Sequence, residues 1–524
     1  MGLLPETTLL TVGAAVACLL TMVYIYFKKS FSYWKERKVP YIEPTFPFGN
    51  FRNLIFVRKS IGHMFVDLYK KLDGEKYGGT YMFTKPGFIF RDPEIIKNVL
   101  VKDFSSFHDR GFFIDEQLEP LTGHLFLLPG NKWRNLRVKL SPTFTSGKMK
   151  MMFQTLVDCG QELGTILQET ASREEIIEIK DILARYSTDI ISSCAFGIQC
   201  HCLENPDAEF RRWGRKLFES SIILSLTGSL SALFPSMVSL LKLRSIDAKV
   251  SEYFHSMVQD TVNYREKNNI KRNDFMQLLI QIKNRGKVEE EHGYLEQNGH
   301  GDLENKSDEN GLSMNSLAAQ AFVFFVAGFE TSSTTMTFCL YELSLHQDIQ
   351  ERLREEIDAV LKKHEGNITY EAIQEMKYLD KVVAETLRKY PVVPILNREC
   401  TKAYKIPDTD IVLEKGIRTV IPILGLHHDP KYYPDPERFD PERFSEEEKA
   451  KRHNYVYLPF GEGPRICIGM RFGLMQTKVG LVSLLSKYQF SVSKRTPVPL
   501  VFETKSFNLS PVGGMWLQIK KRVK

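Results

Sequence analysis

The run Phe460-Gly461-Glu462-Gly463-Pro464-Arg465-Ile466-Cys467-Ile468-Gly469 surrounds one cysteine with what a buried, metal-bound thiolate requires. The thiolate is the competent ligand, and backbone N–H groups with a helix N-terminus favour that charged form. Gly463 and Gly469 permit a tight turn and close backbone approach. Arg465 can hold an anion bidentately, and Phe460 can keep water off the sulfur. The apolar positions Phe472, Leu474, Met475, Val479, Leu481 and Val482 predict a helix starting just after Cys467. A lone buried cysteine is usually an inert small hydrophobe, but a ten-residue pattern of this density is hard to obtain by chance.

Three further groupings carry chemistry. Ala327-Gly328-Phe329-Glu330-Thr331-Ser332 lies inside an apolar helical pattern from about 316 to 345. Gly328 there could simply allow close helix packing, with Thr331 capping a local carbonyl. Alternatively, both let the helix open beside a reacting centre, with Glu330 and Thr331 supplying an acid and a hydroxyl for proton transfer. Glu385 and Arg388 are three apart on a helix predicted to end at Pro391, hence on one face. Pro436-Glu437-Arg438-Phe439-Asp440-Pro441-Glu442-Arg443-Phe444 offers a second cation for Glu385, and spacing favours Arg443 over Arg438. Trp133 and Arg137 share a face of another predicted helix.

Taken in order, these motifs resemble the haem-thiolate monooxygenases, the cytochrome P-450 superfamily, most like its insect microsomal xenobiotic-metabolising branch. Vertebrate drug-metabolising relatives are the runners-up. The resemblance implies haem b with Cys467 as axial ligand, in a loop that includes Phe460 and Gly469. Trp133, Arg137, Arg398 and Arg465 would face its propionates. It implies proton delivery by Glu330 and Thr331, and a structural charge triad of Glu385, Arg388 and Arg443. The pocket would draw on Phe107, Phe112, Phe113, Phe322, Phe325, Ala327, Val393, Leu396 and Val512, together with the 218–234 stretch. The implied reaction inserts one atom of dioxygen into a small lipophilic substrate, such as a plant toxin or insecticide. The electrons would come from NADPH through a flavoprotein reductase, with a cytochrome b-type protein as a possible second donor. Alternatives are oxidation of an endogenous terpenoid hormone, steroid or fatty acid, a reductase-independent isomerase or dehydratase, and a non-catalytic haem carrier or sensor. The Glu330-Thr331 pair speaks against the last two classes.

Elements must bring residues from 133 to 469 around one point, and no Gly/Ser- or Pro-rich linker divides them. A mainly α domain with a smaller β portion is therefore expected over 51–524. Strands are predicted over Gly79–Phe83, Gly87–Phe90 and Trp516–Ile519. Residues 286–311 are acidic and nearly without apolar groups, which reads as a solvated, mobile loop. The eight cysteines are scattered, so no disulfide framework is expected. Cys200-His201-Cys202 lacks a second pair at metal-ligand spacing.

Leu9 to Phe27 is uncharged and long enough to cross a bilayer, and Lys28, Lys29, Lys35, Arg37 and Lys38 follow it. This predicts a transmembrane signal anchor over 1–28 and a basic, Pro-rich connection over 29–50. The body would lie on the cytoplasmic side of the endoplasmic reticulum membrane. A net charge of +6 gives no reason to expect nucleic acid. Lys132, Arg134, Lys139, Lys148 and Lys150 cluster locally, where the resemblance places reductase docking.

Overall fold

The computed structural model describes residues 6–218, 234–288 and 311–522. Most of the 218–234 stretch and of the acidic 286–311 segment lies outside the described residues. Helix α1 (Glu6–Ser30) is 25 residues long, about 37 Å of helix, and its last turn carries Lys28 and Lys29. An 18-residue window within it has a mean hydropathy of 2.0 and no buried residue.

The site-bearing helices are α2 (Gly130–Leu140), α3 (Ser146–Ile166), α4 (Ile179–Ile191), α5 (Met314–Leu345), α6 (Lys377–Lys389) and α7 (Met470–Leu485). Helix α5 is apolar nearly all round, the composition of a helix enclosed by others. It starts where the Ser313 hydroxyl accepts the Ser316 N–H at 3.1 Å. Helices α4, α6 and α7 pack along it. A Cβ on Gly328 would stand 2.7 Å from Ile191 Cδ1, so glycine is what lets α4 and α5 approach. Helix α6 ends just before Tyr390-Pro391, where proline removes a backbone donor.

Of the three sheets among the described residues, the two larger ones flank the helices. In one, β1 (Tyr77–Met82) and β2 (Lys85–Phe90) form a hairpin, and β2 runs parallel to β5 (Arg418–Ile421), which pairs antiparallel with β4 (Leu396–Glu399). In the other, β7 (Trp516–Lys521) lies between β3 (Ile176–Glu178) and β6 (Tyr488–Val492). Strands β1, β2 and β7 match the three predicted ones within two residues at each end, and β3, β4, β5 and β6 were not anticipated. Strand β4 carries Arg398 toward the Cys467 loop.

The 29–50 segment differs from the expected connection. Trp34 is fully buried, its indole N–H donating to the Thr80 carbonyl at 3.1 Å and its ring tilted against Phe88. Tyr41 bridges to Gly79, and the Asn50 side chain accepts the Tyr81 N–H at 2.7 Å. This stretch therefore belongs to the domain. Its prolines and charges made it look like a linker, yet one tryptophan inserts behind the sheet. Removing 1–27 is expected to leave thermal unfolding essentially unchanged. Trp34→Ala in that truncated chain should cost about 3–5 kcal/mol. A Trp34→Ala protein that melts with its parent would place the domain boundary after this segment.

Candidate functional site

Cys467 sits in a turn closed by its own N–H donating to the Phe460 carbonyl at 2.9 Å and by the Ile466 N–H on Gly463 O at 2.9 Å. Gly463 has φ +73°, and a Cβ there would collide with the Leu100 carbonyl, so only glycine permits this close approach. The loop delivers Cys467 three residues before α7. Its accessible surface is the wall of an interior cavity of about 290 Å³. Burial pushes the thiol up, while the Gly469 N–H and the Arg137 and Arg110 guanidiniums pull it down. A bound metal cation would deprotonate such a thiol outright.

Four guanidiniums converge at one edge of the cavity. Arg137, from α2, donates to the Ile466 carbonyl at 3.0 Å. Arg465 donates to Leu128 O at 2.8 Å and lies 4.2 Å over the Trp133 ring. Arg398 is buried behind them, outside the cavity lining, and donates to Asn397 O at 2.8 Å. The fourth, Arg110, lies 4.1 Å over the Phe126 ring and was not anticipated from sequence. Burial together with mutual repulsion pulls Arg110 down to about 10, Arg465 down to about 9 and Arg398 well below the ordinary range. Asp109, 3.6 Å from Arg465, is the carboxylate that offsets Arg465. The Nε atoms of Arg110 and Arg398 are buried without a partner. Packed cations with orphaned donors call for anionic groups. A flat macrocycle with two carboxylates at one edge and a metal over Cys467 fits this donor set.

The opposite wall is one face of α5: Val323, Phe324, Ala327, Gly328, Thr331, Ser332 and Thr335. These follow the helical period upward and downward from Thr331. The helix does not open at Gly328. It is α-helical throughout, and Thr331 Oγ1 donates to the Ala327 carbonyl at 2.6 Å. Thr335 and Thr337 likewise donate to carbonyls four residues back, so the hydroxyls are satisfied without breaking the ladder. Glu330 does not line the cavity. Its carboxylate turns toward α4, 3.5 Å from Lys180 Nζ and 3.4 Å from Thr334 Oγ1.

Of the nine pocket residues named from sequence, Ala327, Val393 and Leu396 line this cavity and six do not. Phe322 and Phe325 occupy the far side of α5 from Ala327, where each contacts Phe254 and Phe325 also stacks on Phe329. Phe107 is fully buried in a second core against Phe90 and Tyr404. Phe112 meets the lining residue Phe126 from behind at 6.0 Å, and Phe113 is half-buried beside it. Val512 is largely exposed, its N–H donating to Val501 O. Leu125, Phe126, Ile191, Val392 and Thr477 complete the wall instead.

Behind the thiol loop, Glu385 and Arg388 form a fully buried bidentate pair at 2.7 and 2.9 Å. Arg443 Nε is 3.5 Å from the same carboxylate, and the Asp440 N–H donates to it at 3.0 Å. Arg388 also donates to the carbonyls of His427 and Pro436, tying α6 to the 427–440 segment.

Comparison with known proteins matches residues 42–517 to the family described as Cytochrome P-450. "Probable cytochrome P-450 6a14" of Drosophila melanogaster is 46% identical over 97% of this chain and 99% of its own length. "Cytochrome P-450 6k1" of Blattella germanica is 44% identical over 97% and 96% respectively. "Cytochrome P-450 6a2" of Drosophila melanogaster is 43% identical over 97% and 98%.

Proposed function

Because this chain belongs to the cytochrome P-450 family, and is therefore a haem-thiolate monooxygenase, we propose that it oxidises small lipophilic xenobiotics in the cavity between Cys467 and the Thr331 face of α5. The observation that carries this reading is the cavity itself: an apolar chamber with a thiol on one wall, a helix hydroxyl on the other, three guanidiniums at its rim and a fourth, Arg398, buried behind them. Haem bound there would supply dioxygen activation, with the thiolate's electron donation favouring O–O cleavage.

The chain's own residues do the rest. Arg110, Arg137, Arg398 and Arg465 would hold the propionates, and Trp133 stacks beneath Arg465 to fix its plane. Phe460, Phe324 and Leu125 exclude water from the chamber and give substrate an apolar surface. Thr331 Oγ1 presents a hydroxyl to the chamber while its proton rests on Ala327 O, a hydrogen bond that must break for it to donate inward. Glu330, held between Lys180 and Thr334, would resupply protons from the outer side of α5.

Purified protein combined with NADPH, a microsomal flavoprotein reductase and a panel of lipophiles should consume NADPH and form oxygenated product. Thr331→Ala should keep haem and substrate binding but release hydrogen peroxide in place of product. Positioned proton transfer contributes about 10²–10⁴-fold, so the product-to-NADPH ratio should fall severalfold at the least. An unchanged ratio would make Thr331 a packing residue only.

The reading extends to membrane and partner. Helix α1 would anchor the chain in the endoplasmic reticulum with the domain in the cytoplasm, since Lys28 and Lys29 follow the apolar span. Lys132, Arg134 and Lys150 are exposed on the thiol side and would steer an acidic reductase surface. Lys132 and Lys150 already pair with Glu116 and Glu371, so their attraction is partly offset.

A further inference from the structure

The cavity wall formed by Leu125 and Phe126 is a turn outside any helix or strand, closed by the Leu127 and Leu128 N–H groups on the His124 carbonyl, and it is also held from both ends. At one end Gln320, a fully buried residue of α5, reads the backbone twice: its Oε1 accepts the Leu125 N–H at 2.9 Å and its Nε2 donates to the Gly123 carbonyl at 3.1 Å. At the other end Arg465 donates to Leu128 O at 2.8 Å and more weakly to Phe126 O at 3.5 Å. Between them His124 is buried against Phe126 and Phe322, with Nδ1 unpartnered. An unsatisfied ring nitrogen gives this loop a reason to move outward, so something must hold it in. Gln320 is eleven residues before Thr331, about 16 Å along the same helix. The height of the wall is thus gauged from the helix that carries the reacting face.

We propose that Gln320 is a positioning residue: by gripping both edges of the Gly123–Leu125 backbone it sets the Leu125–Phe126 wall relative to Ala327 and Thr331, and so governs the size and orientation of the substrate the cavity accepts. The inference rests on the reading that this cavity holds haem and substrate. The amide is chemically specific for the task, because it offers one acceptor and one donor to a peptide segment presenting one of each. A leucine of similar volume offers neither, whereas a glutamate, kept neutral by burial, still offers an acceptor and an O–H donor in altered geometry.

The test uses full-length holoprotein as wild type, Gln320→Leu and Gln320→Glu. Three quantities are read: the ferrous–CO spectrum, hydrogen exchange at the Leu125 amide, and binding of imidazole and clotrimazole followed by the Soret shift. All three proteins should give the same CO spectrum, since Gln320 touches no cofactor-holding residue. In Gln320→Leu the Leu125 amide should lose protection, and the clotrimazole-to-imidazole affinity ratio should change by about tenfold or more, as expected when a positioning contact is lost. Gln320→Glu should retain Leu125 protection and shift the ratio less. If Gln320→Leu loses amide protection with an unchanged affinity ratio, or keeps the protection, the proposal is overturned. Should Gln320→Leu fail to fold, Gln320→Met, which keeps the length and removes both polar atoms, replaces it, and lost Leu125 protection with an unchanged ratio overturns the proposal equally. A wild-type protein that shows no Soret shift with either azole would overturn the cavity reading instead.

Discussion

Cys467→Ser is expected to abolish the red-shifted ferrous–CO absorption of a thiolate-ligated haem and all monooxygenase turnover, while leaving the fold intact. The substitution exchanges sulfur for oxygen in a loop whose geometry depends on backbone bonds. The Cys467 N–H to Phe460 O bond and the Gly463 turn need nothing from the side chain. What changes is the atom facing the cavity. A serine hydroxyl has a far higher pKa than a thiol, so the Arg110 and Arg137 charges that help the thiolate cannot ionise it. Circular dichroism should match wild type. A normal CO spectrum from the serine protein would move the ligand elsewhere.

A stability effect as large as that of Trp34→Ala is expected from Arg388→Leu. It leaves Glu385 fully buried with only Arg443, at 3.5 Å, and the Asp440 N–H as partners. Stranding one member of a buried pair costs about 3–5 kcal/mol, a large fraction of a typical domain's margin. The pair is not an argument for net stability, because a charge-free core of equal volume could do as well. Its function is to align α6 with the 427–440 segment through the His427 and Pro436 carbonyls. The double variant Glu385→Leu/Arg388→Leu should therefore recover part of the lost stability without recovering full haem content. Urea unfolding and haem-to-protein ratios measure both. Full recovery of haem content by the double variant would make the pair dispensable for alignment.

The residues with constrained chemistry were legible in the sequence because their spacing is set by local backbone geometry. A turn around a cysteine, an i and i+3 pair and an i and i+4 pair are all short-range patterns; the structure brings Cys467, Trp133 and Arg137 to one cavity and leaves Glu385 and Arg388 buried behind its loop. The pocket was less legible because it depends on which side of α5 faces inward, and tertiary packing decides that. Phe322 and Phe325 were attractive for their size, but size also suits the aromatic core around Phe254. Extending the helical period from Thr331 would have pointed to Val323, Phe324 and Thr335. Arg110 had no such period to extend, since it lies in an irregular loop. Trp34 was overlooked because its neighbours Lys35, Glu36, Arg37 and Lys38 read as solvated chain, whereas one large apolar side chain suffices to draw the backbone in. Of the two readings offered for Gly328 and Thr331, the geometry follows the one with close helix packing and a capped local carbonyl, and the ladder stayed whole.

The burial of Trp34 changes how the molecule would stand on a surface. Helix α1 ends at Ser30, so three residues separate it from a side chain locked behind β1 and β2. Phe27 and Tyr24 also lie against Phe46 at 5.0 and 6.2 Å. With α1 in a bilayer, this is a bracket and not a leash. The domain would keep a nearly constant tilt and altitude, and its encounters with a second membrane-bound protein would reduce to sliding and rotation in a plane. Inserting a flexible Gly-Ser segment between Ser30 and Ser32 should then slow electron delivery from a membrane-anchored reductase while leaving turnover with a chemical oxidant unchanged.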